Sequence, residues 1–178
     1  MITRTLSVFM FLIVLMIATE SCRHNVNLKN SALSDRVKKL ESTAPGVGEV
    51  MTVVQLHFAK LFYAAKAENW KLANFEIDEV KENLENAAAL RPTENGVQLH
   101  GVVDAFEQTQ IAALDTSVER HDLKTFRRNY SDAILVCNSC HRSTGRPFII
   151  ITEPTAPPVS NQQWAPPSND GSSQEKPK

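Results

Sequence analysis

The stretch from Asp122 to His141, DLKTFRRNYSDAILVCNSCH, decides how the chain folds. Its apolar residues recur at steps of three and four, the spacing of one buried stripe on an α-helix. The stripe consists of Leu123, Phe126, Tyr130, Ala133, Cys137 and Cys140. Gly145 suits a helix C-terminus, and Pro147 prevents the helix from resuming. The stretch therefore predicts a final helix whose last turns carry two cysteines on the core-facing side.

Two long helices are predicted upstream, because the chain has no proline or glycine between Gly48 and Pro92. The first runs from about residue 47 to 68, with an apolar stripe made of Met51, Val54, Phe58, Leu61 and Ala65. Asn69 can cap the second, which ends where proline interrupts it. Its stripe consists of Trp70, Ala73, Ile77, Val80, Leu84 and Ala87.

A third helix is predicted between these and the last one. Thr93 can act as its N-cap, and it ends near Thr116. Its apolar stripe is looser, with Leu99, Val102, Val103, Phe106, Ala113 and Leu114. Four helices with short connections predict an all-α fold, an antiparallel up-down four-helix bundle.

Composition gives the domain plan. The chain has 178 residues and a formal net charge of −1, so it lacks the basic surface of a nucleic-acid-binding protein. We expect a signal segment at residues 1–22, a polar spacer at 23–45, one helical domain at 46–152 and an extended or disordered proline-rich tail at 153–178.

The N-terminus predicts export. Arg4 precedes an apolar run, 6–18, of the length of a secretory signal core. Cys22 follows this run where a bacterial lipoprotein signal places its lipidated cysteine, and of the residues before it only Ser21 fits that pattern. Cleavage near Ser21 with a free thiol and an uncleaved anchor helix are the alternatives. Each places the domain outside the cytoplasm, and we expect a periplasmic protein anchored by a lipid.

Cys137-Asn138-Ser139-Cys140-His141 has the Cys-x-x-Cys-His pattern of covalent haem c attachment. In such sites the thiols add to the vinyl groups of the porphyrin, and the adjacent histidine is an axial iron ligand. A thioredoxin-like dithiol is disfavoured because no βαβ unit is predicted. A zinc site is disfavoured because only three cysteines are present. The pattern, the export signal and the helical setting together predict one haem c.

A four-helix bundle with this motif on its last helix resembles the class II c-type cytochromes, the cytochrome c-prime and cytochrome c-556 group. The resemblance covers residues 47–145. A looser likeness to exported cytochrome-like proteins rests on the segments 57–61 (HFAKL), 69–73 (NWKLA), 75–76 (FE) and 161–162 (NQ). The proline-rich tail, Gly145 and Pro147 depart from cytochrome c-prime, so the haem pocket need not be lined in the same way.

The sixth iron position separates an electron carrier from a gas-binding protein. The resemblance points to Met51, because in this family a methionine near the start of the first helix can fill that position. Met51 should also lie level with His141 in an antiparallel bundle. His57 lies about 9 Å farther along the helix, at about 1.5 Å per residue, and becomes the ligand if the helices are staggered. An open face is the third alternative.

We therefore predict a monohaem electron carrier that is not an enzyme. Its partners would be redox proteins in the periplasm or at the membrane. The sequence is also compatible with a homodimer. The alternatives are a five-coordinate haem module that binds nitric oxide or carbon monoxide, and a structural lipoprotein without haem. Four arginines could pair with haem propionates. They are Arg127, Arg128, Arg142 and Arg146.

Overall fold

The structure, a computed structural model, describes residues 33–40, 42–43 and 45–168. The chain divides into two units after Pro45. In the first, residues 33–40 and 42–43 are helical and exposed, within the predicted spacer. The predicted signal segment with Cys22, spacer residues 23–32, 41 and 44, and tail residues 169–178 lie outside the described residues.

The second unit is mostly helical, so the predicted all-α class is confirmed. Its described elements are helix α1 (Val47–Lys66), helix α2 (Trp70–Leu90), strands β1 (Thr93–Glu94) and β2 (Val97–Gln98), helix α3 (Leu99–Phe106), a π-helical turn (Glu107–Ile111), helix α4 (Ala112–Glu119) and helix α5 (Leu123–Ser143). The strands form one short antiparallel hairpin.

Local sequence signals fix most of the helix ends. The Asn69 and Asp122 side chains accept hydrogen bonds from backbone N–H groups three residues on, at 3.2 and 3.0 Å. Asn69 thus caps α2, as predicted, and Asp122 caps α5. After α5, Gly145 has a φ of 80°. The Arg146 N–H donates to the His141 carbonyl at 2.7 Å, which closes the helix as a Schellman motif. This motif also fixes where the chain leaves the helix.

The predicted cap at Thr93 is wrong, because this residue lies in a hairpin strand. Asn95 and Gly96 both have positive φ, 49° and 79°, which is the geometry of a two-residue hairpin turn. Leu99 starts the third helix instead. The Asn-Gly pair carried this signal in the sequence.

The π-helical turn explains the loose apolar stripe of the third helical segment. Phe106 and the next fully buried residue, Ile111, are five positions apart, whereas Leu114 and Val118 resume the ordinary spacing. A π-helical turn adds one residue per turn and rotates the following stripe back toward the core. The segment from 99 to 119 therefore keeps one buried face.

An aromatic core fills one half of the second unit. We use this name for Tyr130 and the three phenylalanines whose rings pack against it, Phe58, Phe62 and Phe126, with centroids 4.2 to 5.8 Å from that of Tyr130. The buried Tyr130 hydroxyl donates to the Phe58 carbonyl of α1 at 2.9 Å. This bond satisfies the one polar atom of the ring and ties α5 to α1.

Residues 147–168 form a segment that we call the C-terminal strap. It has no regular secondary structure, as its prolines predict, but it lies against the helices. Trp164 packs on Tyr63 with centroids 5.6 Å apart, and the Asn69 side chain donates to the Trp164 carbonyl at 3.1 Å. The Tyr63 hydroxyl donates to the Pro154 carbonyl at 3.4 Å. The part of the tail that the structure describes is therefore held on the helices.

Candidate cofactor site

An apolar cavity of about 250 Å³ lies beside the aromatic core. Side chains from α1, α2, α3 and α5 line it, and most are aliphatic. Phe58 of the aromatic core lines one side of it, and Ala87 and Ala88 of α2 present little volume toward it. Small side chains thus leave open space at this end of the helices.

The cysteine and histidine motif lies in the wall of this cavity. Cys137, Cys140 and His141 all line it from the last two turns of α5. The two cysteines are free thiols. Three functional groups predicted from sequence to address one flat cofactor therefore face one apolar space.

Burial raises the pKa of Cys137 to about 12, and the neighbouring Cys140 adds to the effect. Burial also raises the pKa of the Cys140 thiol, which nearby Arg146 opposes in part. Cys140 also lies in the last turn of α5, where the helix dipole disfavours a negative charge. Redox-active dithiols need a stabilised thiolate, so this environment is unlike theirs.

His141 is oriented by a backbone carbonyl. Its Nδ1 lies 3.1 Å from the carbonyl oxygen of Ile149. A carbonyl oxygen can only accept, so Nδ1 carries the proton in this bond. In the neutral imidazole, Nε2 then keeps its lone pair, the form that binds iron.

The two candidates for the sixth iron position lie in different surroundings. Met51 is half-buried and lines the same cavity as His141. His57 does not line it. Its Nδ1 lies 2.7 Å from Oε2 of Glu76, and its Nε2 lies 3.7 Å from Oε2 of Glu79. Of the two candidates, Met51 therefore shares the cavity with His141, and His57 does not.

The fully buried Glu76 explains what His57 does. Lys60 of α1 places Nζ 2.8 Å from its second oxygen, Oε1. A buried carboxylate needs charged or hydrogen-bonding partners, and α1 supplies two of them. His57 and Lys60 thus serve the contact between α1 and α2.

The remaining predicted residues are dispersed. Of the four arginines, Arg146 alone lines the cavity, where it also pairs with Oε1 of Glu94 at 3.1 Å. His100 and His121 are exposed. Within the described ranges, no three His, Cys, Asp or Glu side chains form a group that could hold a metal ion by themselves. A zinc site would need such a group, whereas haem iron takes only one or two protein ligands.

Sequence reasoning missed the two hydrogen bonds that join the motif to the strap. Asn138, in the middle of the motif, donates from Nδ2 to the Ile151 carbonyl at 2.9 Å. Its Oδ1 accepts from the Ile151 N–H at 2.7 Å. Ile149 and Ile151 line the cavity, although Ile149 is itself 38% exposed, and Phe148 and Ile150 are more exposed still. The strap thus closes part of the cavity with every second residue.

Comparison with protein-family models, with curated protein sequences and with solved structures finds no match to this chain. Among the described residues, none of the helices combines the length and the hydropathy that crossing a membrane requires.

Proposed function

We propose that this chain is an exported monohaem c-type cytochrome that carries single electrons. Its helical segments would form the up-down four-helix bundle of the class II cytochromes. The observation that carries the proposal is that Cys137, Cys140, His141 and Met51 line one apolar cavity. The motif is distant from Met51 in sequence, so their meeting in one cavity is independent of the motif itself.

The residues present fit a haem in three respects. The cavity wall is mostly aliphatic, which suits a porphyrin ring and keeps the local dielectric low. His141 has Nε2 free to bind iron, because its Nδ1 is engaged with Ile149. Arg146 supplies a cation at the cavity wall that could pair with a propionate.

Each thiol would add its sulfur and its hydrogen across one vinyl group, so no atom is lost and no oxidant is needed. Bound haem c supplies an iron that alternates between the ferric and ferrous states and so accepts and returns one electron. The chain would hold it covalently through Cys137 and Cys140, orient the axial imidazole of His141 and exclude water with the strap. Met51 would occupy the sixth position.

This proposal implies an extracytoplasmic location, since haem c is attached there in bacteria, and redox proteins as partners. Lipidation at Cys22 would hold the domain at the membrane. The protein would act as a carrier and not as an enzyme.

Expression with a haem-attachment system tests the proposal. We expect a red protein whose pyridine haemochrome is that of haem c, bound so that acid acetone does not extract it. A colourless product with two reactive thiols would overturn the proposal and favour a structural lipoprotein.

Carbon monoxide then separates the carrier from the gas-binding alternative. We expect the reduced protein to show a six-coordinate spectrum before carbon monoxide is added, with Met51 as the ligand. A five-coordinate spectrum in the wild-type protein would instead favour a gas-binding module.

A further inference from the structure

One side chain of the motif, that of Asn138, holds the C-terminal strap by hydrogen bonds. Asn138 makes two hydrogen bonds to the same residue, Ile151, with its amide nitrogen donating and its amide oxygen accepting. The side chain thereby pairs with a backbone unit as a neighbouring β-strand would. Two bonds in a fixed geometry hold this part of the strap at one position.

The same part of the strap carries the carbonyl that orients His141. Ile149 lies two residues before Ile151, and its carbonyl accepts from His141 Nδ1. A turn between Arg146 and Ile149, with a backbone bond of 3.0 Å, sets the path from the end of α5. The carbonyl is thus fixed from both sides, by the helix end and by Asn138.

We propose that Asn138 is a positioning residue for the axial histidine: by clamping the strap at Ile151 it holds the Ile149 carbonyl on His141 Nδ1. The inference rests on the proposed haem site. A hydrogen bond at Nδ1 raises the basicity of an iron-bound imidazole and favours the ferric state. The strap, which follows the motif in sequence, is therefore part of the machinery that sets the reduction potential.

A purely structural role for Asn138 would predict a different result. In that case its loss would lower the free energy of unfolding but leave the iron electronically unchanged. Asn129 provides a matched control, because it lies on the same helix and its Nδ2 also donates to a backbone carbonyl, that of Ala113, at 2.8 Å. That bond has no connection to the strap.

The experiment compares the wild-type protein, Asn138→Ala and Asn129→Ala by redox titration. Haem c should be attached in all three, since the thiols and His141 are intact. We expect Asn138→Ala to shift the ferric-to-ferrous equilibrium about tenfold toward the ferrous form, which is about 59 mV upward for one electron. Asn129→Ala should leave the potential unchanged. A potential that is equal in all three proteins would overturn the inference and leave the haem proposal standing.

Imidazole nitrogen signals in protein labelled with ¹⁵N-histidine give a second readout that does not need haem. His141 should show a proton on Nδ1 in the wild-type protein and in Asn129→Ala, and a mixture of tautomers in Asn138→Ala. If Asn138→Ala does not accumulate, Asn138→Asp replaces it, because a carboxylate cannot donate to the Ile151 carbonyl. An unchanged Nδ1 proton in the variant would contradict the clamp, and a wild-type protein without haem c would contradict the proposed function instead.

Discussion

The two halves of the second unit use the same helices in opposite ways. In the half with the aromatic core, α1 buries five consecutive residues, 61–65, and α5 contributes the large rings of Phe126 and Tyr130. In the cavity half, α1 buries only Val50 and Val54 within its first two turns. The lining from α2 is Val80, Leu84, Ala87 and Ala88, and α5 presents the cysteines. Protein interiors are normally close-packed, so the cavity beside the cysteines of α5 is a departure that calls for an explanation. The fold is stabilised at one end and left open at the other.

The largest effect should come from removing the two thiols, which should affect the cavity half and leave the half with the aromatic core intact. Cys137→Ser with Cys140→Ser should abolish covalent haem attachment completely, because no other described residue lining the cavity carries a thiol. Helix content should stay close to that of the wild-type apoprotein, since the aromatic core is untouched. Ser139→Ala, an exposed change inside the motif, is the control and should keep full attachment.

Shortening one leucine in each half should show that the two halves are packed to different densities. Leu61→Ala in the half with the aromatic core should lower the free energy of unfolding by about 2–5 kcal/mol, because the fully buried side chain leaves a new cavity. Leu99→Ala, which borders the existing cavity, should cost about 2 kcal/mol in the haem-free protein, the lower end of that range. Chemical denaturation measures both. Equal costs would mean that the two halves are equally well packed.

The two candidate ligands should respond differently to truncation. Met51→Ala should change the sixth-ligand signature in optical and resonance spectra of the ferric and ferrous protein. His57→Ala should leave those spectra unchanged but lower the free energy of unfolding by about 1–3 kcal/mol, because Glu76 loses a hydrogen-bonding partner while buried. If His57→Ala alone changes the iron spectrum, the assignment of His57 to the contact with Glu76 is wrong.

Alkaline pH should give the smallest effect. Burial raises the pKa of Cys137 to about 12 and that of Tyr130 above its usual value of 10.0. A raised pKa means that the folded protein favours the neutral form, so stability is fully present below the unfolded-state pKa and is lost as pH rises. In the haem-free protein the loss should begin above about pH 9.

The haem-bound protein provides the contrast for this titration. Thioethers do not titrate, so its pH-dependent loss of stability should begin only above about pH 10, where Tyr130 ionises in the unfolded chain but stays neutral in the folded protein. Tyr130→Phe should remove that remaining loss. Thermal unfolding across this pH range measures each step. If stability begins to fall at the same pH with and without haem, the thiols are not the cause of the loss in the haem-free protein.

Much of the fold followed from local signals in the sequence. The caps at Asn69 and Asp122 and the helix end at Gly145 depend on residues within one turn, so they were predictable. The hairpin at Asn95 and Gly96 was predictable in principle but was outweighed by the apparent cap at Thr93. The π-helical turn was not predictable from local sequence. It rotates the apolar stripe of residues 99–119 toward the core, and the direction of the core is set by the neighbouring helices.

The candidate site was predictable only in part. The attachment motif is contiguous in sequence, whereas the choice between Met51 and His57 depends on how α1 is aligned with its neighbours. The partnership of His57 with the buried Glu76 and the bonds from Asn138 to Ile151 join residues 19 and 13 positions apart. No local pattern encodes such contacts, because tertiary packing decides which polar atoms meet.

The central claim is that the cavity half holds one haem through the two cysteines of α5. Intact-mass measurement of the protein produced with a haem-attachment system, followed by sequencing of the peptide that contains the motif, tests it most directly. We predict a mass increase of one haem, localised to the peptide with Cys137 and Cys140. An unmodified peptide with both thiols free, from cells that attach haem to a control cytochrome, would contradict the account.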